Sequence, residues 1–450
     1  MSNYTHNDSL DFEVRGGKEL SGTIKTNTSK NGAMGLLCAS LLNTGKTILY
    51  GIPKIEEVNR ILEVLNSIGV KTSWGDQTVN QSLTIERPAK FDLDSINAKS
   101  ASKTRTILMF IGALIYEYEN FSLPQSQGCT LGTRTITPHL RGLSKFGIDI
   151  KITENSYEVE SPMLIRKTFP DVNIVMSEAS DTGAELLLIA AAKYQGKTTI
   201  KFAPSNYMVQ EVCYFLQNLG ILIEGVGTHI LVIQGKKNID CNIEYYNSED
   251  PIETMMFISA SICTKSELTI TRCPIDYLEL ELQKLLEMGA NITRTEVYKS
   301  FNKRTNLVDL TVHKTKELKA LPDKISCGPY PAINIDNLPF FVPICALAVG
   351  RSLIHDWVYE NRAIYFTELN RLGQNITLAD PHRVFIDGTK AFKPAQVVCP
   401  PALRPAMIIL IAMLASDGVS ILRNIYSIKR GYEEIAERLN SIGADIKLLP

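Results

Sequence analysis

The stretch Val58-Asn59-Arg60-Ile61-Leu62-Glu63-Val64-Leu65-Asn66-Ser67-Ile68-Gly69 decides the fold. Its apolar residues recur at the spacing of an amphipathic helix, and the closing Leu-x-x-apolar-Gly places a glycine where a helix commonly ends in a left-handed residue. The same ending recurs at Leu143 to Gly147, Leu216 to Gly220, Leu285 to Gly289, Leu369 to Gly373 and Leu439 to Gly443, at intervals of roughly 70 to 84 residues. A short alternating run follows it, as in Ala444-Asp445-Ile446-Lys447-Leu448, which reads as a half-buried strand. A second marker is interleaved with the first: an apolar helix stops at a turn and a strand begins, at Gly45 to Leu49, Gly196 to Ile200, Glu267 to Ile270, Gly350 to Ile354 and Gly418 to Leu422, with a weaker copy at Asn120 to Leu123. Two interleaved markers, each present six times, predict an array of six α/β units. Six units pack naturally as two lobes of three, with helices under sheets and a crossover near Gly235 to Asp240.

Composition narrows the class. Hydrophobic residues make up 44% and charged residues 21%, the balance of a globular protein, and 450 residues exceed one ordinary core. A formal net charge of −1 lacks the basic excess of a nucleic-acid binder. Met1 to Phe12 is polar rather than signal-like, and the longest apolar run, around Met407 to Leu414, is shorter than the roughly 20 residues of a membrane span. The nine cysteines form no Cys-x-x-Cys pair, which fits free thiols in a reducing compartment. The expectation is a cytoplasmic protein that handles small molecules, without membrane or nucleic-acid partners.

Several segments carry residues that the repeats do not require. Ser29-Lys30-Asn31-Gly32 opens an apolar helix, where a lysine and free N–H groups suit an anion, although a solvated lysine is the simpler reading. Gly128-Cys129-Thr130-Leu131-Gly132-Thr133-Arg134 brackets a thiol with glycines and sets an arginine five residues beyond it. A nearby cation lowers a thiol pKa, so Cys129 is either a proton donor or an inert loop cysteine. Arg105, Arg362, Arg404 and Arg430 stand at matching turns of separate units. Singly they read as surface charges; together they suggest a pocket that grips phosphate and carboxylate bidentately. Asp336, just before the apolar helix through Phe340, is a helix cap, a base or both.

In order and spacing these segments resemble the UDP-N-acetylglucosamine enolpyruvyl transferases and, more distantly, the shikimate-pathway enolpyruvyl transferases. The resemblance runs from Phe12-Glu13-Val14-Arg15-Gly16-Gly17 to Gly443-Ala444-Asp445-Ile446, and is most specific at Ser29 to Asn31, Gly128 to Arg134, Val358 to Arg362 and Arg430 to Glu433. It implies an α/β fold, the two-lobed inside-out α/β barrel, with residues 28–237 in one lobe and 1–27 with 238–450 in the other. It also implies that the N-terminal strand belongs to the second lobe and that the enolpyruvyl group of phosphoenolpyruvate passes to a hydroxyl in the cleft. Lys30, Arg134 and Arg430 would hold the phosphate, with Arg105 steadying that region; Arg362 and Arg404 would hold the carboxylate. Cys129 would protonate the methylene carbon, Asp336 would take the acceptor's proton, and Asn31 would contact the adduct. Neither metal nor cofactor is implied.

The acceptor side departs from the family. Where the family has Pro-Val-Asp-Leu-His, this chain has Thr135-Ile136-Thr137-Pro138-His139, keeping His139 and losing the acid at Thr137. Ser180-Asp181-Thr182-Gly183 stands for a Ser-Val-Gly stretch that meets a diphosphate, Ala402 replaces an acid, and Glu56-Glu57 replaces a Lys-Asp pair. Three readings stay open: UDP-N-acetylglucosamine as acceptor, another nucleotide such as UMP, or a binding module without turnover.

Overall fold

The computed structural model describes residues 10–75, 81–126 and 135–449. All six glycines of the first marker have positive φ, from 82° at Gly147 to 107° at Gly443, so each ends its helix in the conformation that L residues disfavour. The second marker is borne out as well: Thr47–Tyr50, Asn120–Pro124, Lys197–Lys201, Glu267–Pro274, Arg351–His355 and Gly418–Arg423 are all strands. One difference is local. The helix ending at Leu372 is wound as a 3-10 helix over Ala363–Leu372, starting at the buried Arg362.

The strands form six sheets among the described residues. Five share one order: a strand parallel to the marker strand, the marker strand itself, then two antiparallel neighbours. The sixth, around Asn120–Pro124, has no parallel member among the described residues. The last sheet is completed by the N-terminal strand Asp11–Gly16, which lies antiparallel between Gly418–Arg423 and Ile446–Leu449. Beneath the sheets, the helices that precede the marker strands are apolar on every side and therefore interior. Ile107–Leu114 and Pro251–Cys263 are buried along their whole length. Lys30–Ala39, Ile107–Leu114 and Asp181–Ala191 pack on one another; so do Pro251–Cys263, Leu338–Leu347 and Leu403–Leu414. These trios are the centres of the two lobes of an inside-out α/β barrel. At Gly112 an added Cβ would lie 2.9 Å from the Leu186 carbonyl, which is why this helix pair tolerates only glycine at its crossing.

Two strands are exchanged at the crossover. Ser21–Lys25 runs parallel to Glu267–Pro274, and Ile243–Tyr246 runs parallel to Thr47–Tyr50. The connecting segments lie side by side: Ser29 N donates to Ser248 O at 2.7 Å, and Asp250 N to Asn27 O at 2.8 Å. Glu211 supports this double connection from the helix Tyr207–Asn218, accepting the Ser248 N–H at 3.2 Å. Burial pushes the Glu211 carboxyl up to about 7. The native state then holds a proton that the unfolded chain has lost between roughly pH 4.5 and pH 7, so this group's stability is full at low pH, falls across that window and is flat above it. Glu211→Gln, neutral at every pH, is expected to be more stable than the parent by up to about 3 kcal/mol at pH 8 and by little at pH 5. Urea unfolding at the two pH values checks this; an equal gain at both would show that Glu211 does not titrate there.

Candidate active site

Lys30 is the first residue of the helix Lys30–Ala39, whose N-cap Ser29 accepts the Gly32 N–H. Its Nζ lies 2.9 Å from Glu57 Oε2, and the Arg430 guanidinium, from the last unit, lies 3.8 Å from the same oxygen. Burial pushes the Glu57 carboxyl up, but Lys30 and Arg430 outweigh burial and hold it below its ordinary range. Lys30 and Arg430, from the first and last units, thus face a single point.

Asp336 forms the second focus. It does not cap the following helix: Leu338–Leu347 begins after Asn337, with no side-chain cap. Its carboxylate lies instead 3.4 Å from Arg362 Nη1 and 3.3 Å from Arg404 Nη2. The loop is set by Glu281, which accepts from Asn334 N at 2.9 Å and from Asn337 Nδ2 at 2.8 Å. Arg362, 1% exposed, also binds Asp356 and donates to the Ile335 carbonyl at 2.6 Å. Arg404, also buried, donates to Tyr432 Oη at 2.6 Å. Burial raises the Asp336 carboxyl, and the charges of Arg404, Arg362 and Lys30 overcome it, so the group is ionised at neutral pH. Lys30 and Arg404 act on both acids, which joins the two foci into one cluster of charges.

Beside it lie the remaining described candidates. Asn31 Nδ2 donates to Tyr207 Oη at 3.0 Å, and that phenol feels Asp250, Asp336 and Arg404. Asp181, on the helix Asp181–Ala191, takes the Asn206 amide at 3.0 Å; burial, with Asp336 adding to it, pushes its carboxyl up to about 6. The buried His139 pairs its Nε2 with Thr182 Oγ1 at 3.1 Å on the same helix. Arg105 donates to the Thr135 carbonyl at 3.0 Å, so it anchors the chain next to the thiol loop. Cys129 and Arg134 lie outside the described residues. Among the described residues no group of three His, Cys, Asp or Glu side chains is placed to hold a metal ion.

Comparison with known proteins shows the family. A family model described as EPSP synthase (3-phosphoshikimate 1-carboxyvinyltransferase) matches residues 14–439. The chain belongs to this family of enolpyruvyl transferases. It is 30% identical to the UDP-N-acetylglucosamine 1-carboxyvinyltransferase of Treponema denticola over 97% of this chain and 99% of that one. Against the enzyme of the same name from Lawsonia intracellularis it is 28% identical over 96% and 98% of the two chains. In three dimensions it resembles the enolpyruvyl transferase NikO from Streptomyces tendae, with a TM-score of 0.83 at 22% identity over 98% of this chain and 99% of that one. An EPSP synthase from Acinetobacter baumannii gives 0.76 at 15% identity over 98% and 100%.

The transferase's charge cluster also holds residues that the sequence did not single out as functional. Tyr432 sits inside the stretch Arg430 to Glu433, and its bond goes to Arg404 on the helix Leu403–Leu414 of the same unit. Glu57, Tyr207 and Asp356 lie in ordinary helix and strand-end contexts, and only the fold brings them to the cations. The cations of this transferase are therefore not bare. Glu57, Asp336 and Asp356 partner Lys30, Arg362, Arg404 and Arg430. Among the described residues, no helix is long and apolar enough to cross a membrane.

Proposed function

We propose that the protein moves the enolpyruvyl group of phosphoenolpyruvate to the 3-hydroxyl of UDP-N-acetylglucosamine and releases phosphate. The observation that carries this reading is Asp336: an ionised carboxylate at long contact with two guanidiniums, in a crevice that also receives Lys30 and Arg430. Lys30 and Arg430, with Arg134, hold the phosphate, and Arg362 and Arg404 hold the carboxylate, where guanidinium pairs fit two oxygens. Cys129 delivers a proton to the methylene carbon, so that C2 becomes electrophilic; the acceptor hydroxyl attacks C2 and its proton passes to Asp336. The tetrahedral adduct then returns a methyl proton to the Cys129 thiolate and expels phosphate, whose charge the cations stabilise. Asn31 steadies the adduct through its place beside Tyr207, and Arg105 braces the loop that carries Cys129. His139 contributes to the acceptor side.

The division into lobes belongs to the same reading: residues 28–237 against 1–27 with 238–450, with the strand Ile243–Tyr246 added to the sheet of Thr47–Tyr50. We place the reaction in the cytoplasm, with small-molecule partners and neither membrane nor nucleic acid; the near-zero charge and the free thiols of the described cysteines support this.

A second acceptor, a nucleoside monophosphate such as UMP, is favoured by Asp181. A carboxyl of pKa about 6 in the Ser180-Asp181-Thr182 turn is mostly ionised at pH 7.5, and it repels a diphosphate more than an acceptor with one phosphate. Phosphate release from phosphoenolpyruvate, measured with UDP-N-acetylglucosamine and with UMP, decides between them. Release with the sugar nucleotide alone is the expected result. Release with UMP alone replaces the acceptor, and no release with either removes the transferase reading in favour of a binding module.

A further inference from the structure

Glu56 and Glu57 are adjacent acids in the first turn of the helix Glu56–Ser67, yet they do different things. Glu56 pairs with Arg60 on its own helix at 3.1 Å, an ordinary contact one turn apart. Glu57 points the other way, into the crevice, where its side chain is 14% exposed and its Oε2 faces both Lys30 and Arg430. A carboxylate whose only work was to favour the helix N-terminus would not need two cations from outside the helix. The segment is fixed at that spot by a second contact between the lobes, Lys54 N donating to Glu433 Oε1 at 3.1 Å. The two contacts of Glu57 are unequal: 2.9 Å to Lys30 is a hydrogen bond, whereas 3.8 Å to Arg430 is not. Glu57 thus places an anion between the two cations to which the proposed function gives the phosphate.

We propose that Glu57 is an internal competitor for the phosphate: it holds Lys30 and Arg430 while the site is empty, yields them to phosphoenolpyruvate, and reclaims them as inorganic phosphate leaves. The inference rests on the reading that Lys30 and Arg430 bind phosphate. Charge explains the need. Two cations without a counterion hold a free phosphate dianion tightly after the reaction, and a tethered carboxylate lowers that affinity without blocking a substrate that is also held at its carboxylate end. Because Arg430 and Glu57 come from different lobes, the same exchange ties phosphate occupancy to the contact across the cleft. Glu57 is in this sense a positioning residue, acting through Lys30 and Arg430.

Glu57→Gln keeps an acceptor oxygen for Lys30 and removes the charge. In the full chain, calorimetry with inorganic phosphate is expected to give a Kd lower by on the order of tenfold, since one charge at contact distance is removed. Turnover is expected to show a lower KM for phosphoenolpyruvate with a lower kcat, because release of phosphate becomes limiting. A loss of structure alone raises Kd and KM together. Glu57→Asp, too short to keep its bond to Lys30, is expected to shift Kd in the same direction and serves if the glutamine variant fails to fold. Phosphate affinity that is unchanged or weaker in folded variants overturns the proposal. Lys30→Met in the parent separates the two layers: if it leaves phosphate affinity unaltered, the phosphate reading itself has failed; if it weakens binding while Glu57→Gln does not tighten it, only the role of Glu57 has.

Discussion

Replacing Asp336 with asparagine is expected to lower kcat by a factor on the order of 10³ while leaving phosphoenolpyruvate bound at least as tightly. General-base groups typically contribute 10²- to 10⁴-fold, and asparagine keeps the shape of the side chain but cannot accept the acceptor's proton. The binding half of the expectation follows from the contacts. Asp336 lies 3.4 Å from Arg362 and 3.3 Å from Arg404, so in the free protein it competes with the substrate carboxylate for the same guanidiniums. Once that carboxylate takes them, Asp336 loses the charges that hold its pKa down and gains proton affinity where it must act as base. Asparagine removes the competitor together with the base. Steady-state phosphate release combined with phosphoenolpyruvate titration checks both halves; a kcat within tenfold of the parent would assign the base to another group.

What was legible in the sequence divides along the range of the interactions. The six helix ends were readable because a 3.6-residue period followed by a left-handed glycine is a local property, and the φ values at Gly69, Gly147, Gly220, Gly289, Gly373 and Gly443 match it. The marker strands were readable for the same reason, and the place of the N-terminal strand followed from the resemblance. Partnerships were not readable. Lys30 and the arginines were found by type and position, but their carboxylates were not: Asp356 gives no local sign that it neutralises Arg362. Glu57 was noticed as a departure from the family, yet a first-turn acid already has a sufficient local explanation in the helix dipole. Asp336 shows the reverse case, since capping was a fair local reading that Asn337 and the two arginines displace.

The ion pair of Arg362 with Asp356 is expected to give the largest stability effect. Arg362 is 1% exposed and Asp356 is 0% exposed, so Arg362→Met leaves a carboxylate in the interior with its main counterion gone. Removing one member of a buried pair costs about 3–5 kcal/mol. The Cys327 thiol, which faces Asp356 Oδ1 at 3.6 Å, is too weak a donor to make up the loss. Arg362→Met also deletes the bond to the Ile335 carbonyl, which fixes the backbone next to Asp336. Activity lost in this variant would therefore mix folding with chemistry, and the double variant Asp356→Asn, Arg362→Met separates them. With no buried charge left unpaired, it is expected to regain most of the stability in urea unfolding, because a buried pair replaced as a whole is often near neutral. Phosphoenolpyruvate binding is expected to stay weak, since the guanidinium that grips the carboxylate is still missing. A single variant within 1 kcal/mol of the parent would show that the pair does not carry the stability, whereas a double variant that recovers binding along with stability would remove Arg362 from the substrate site and leave it a purely structural residue.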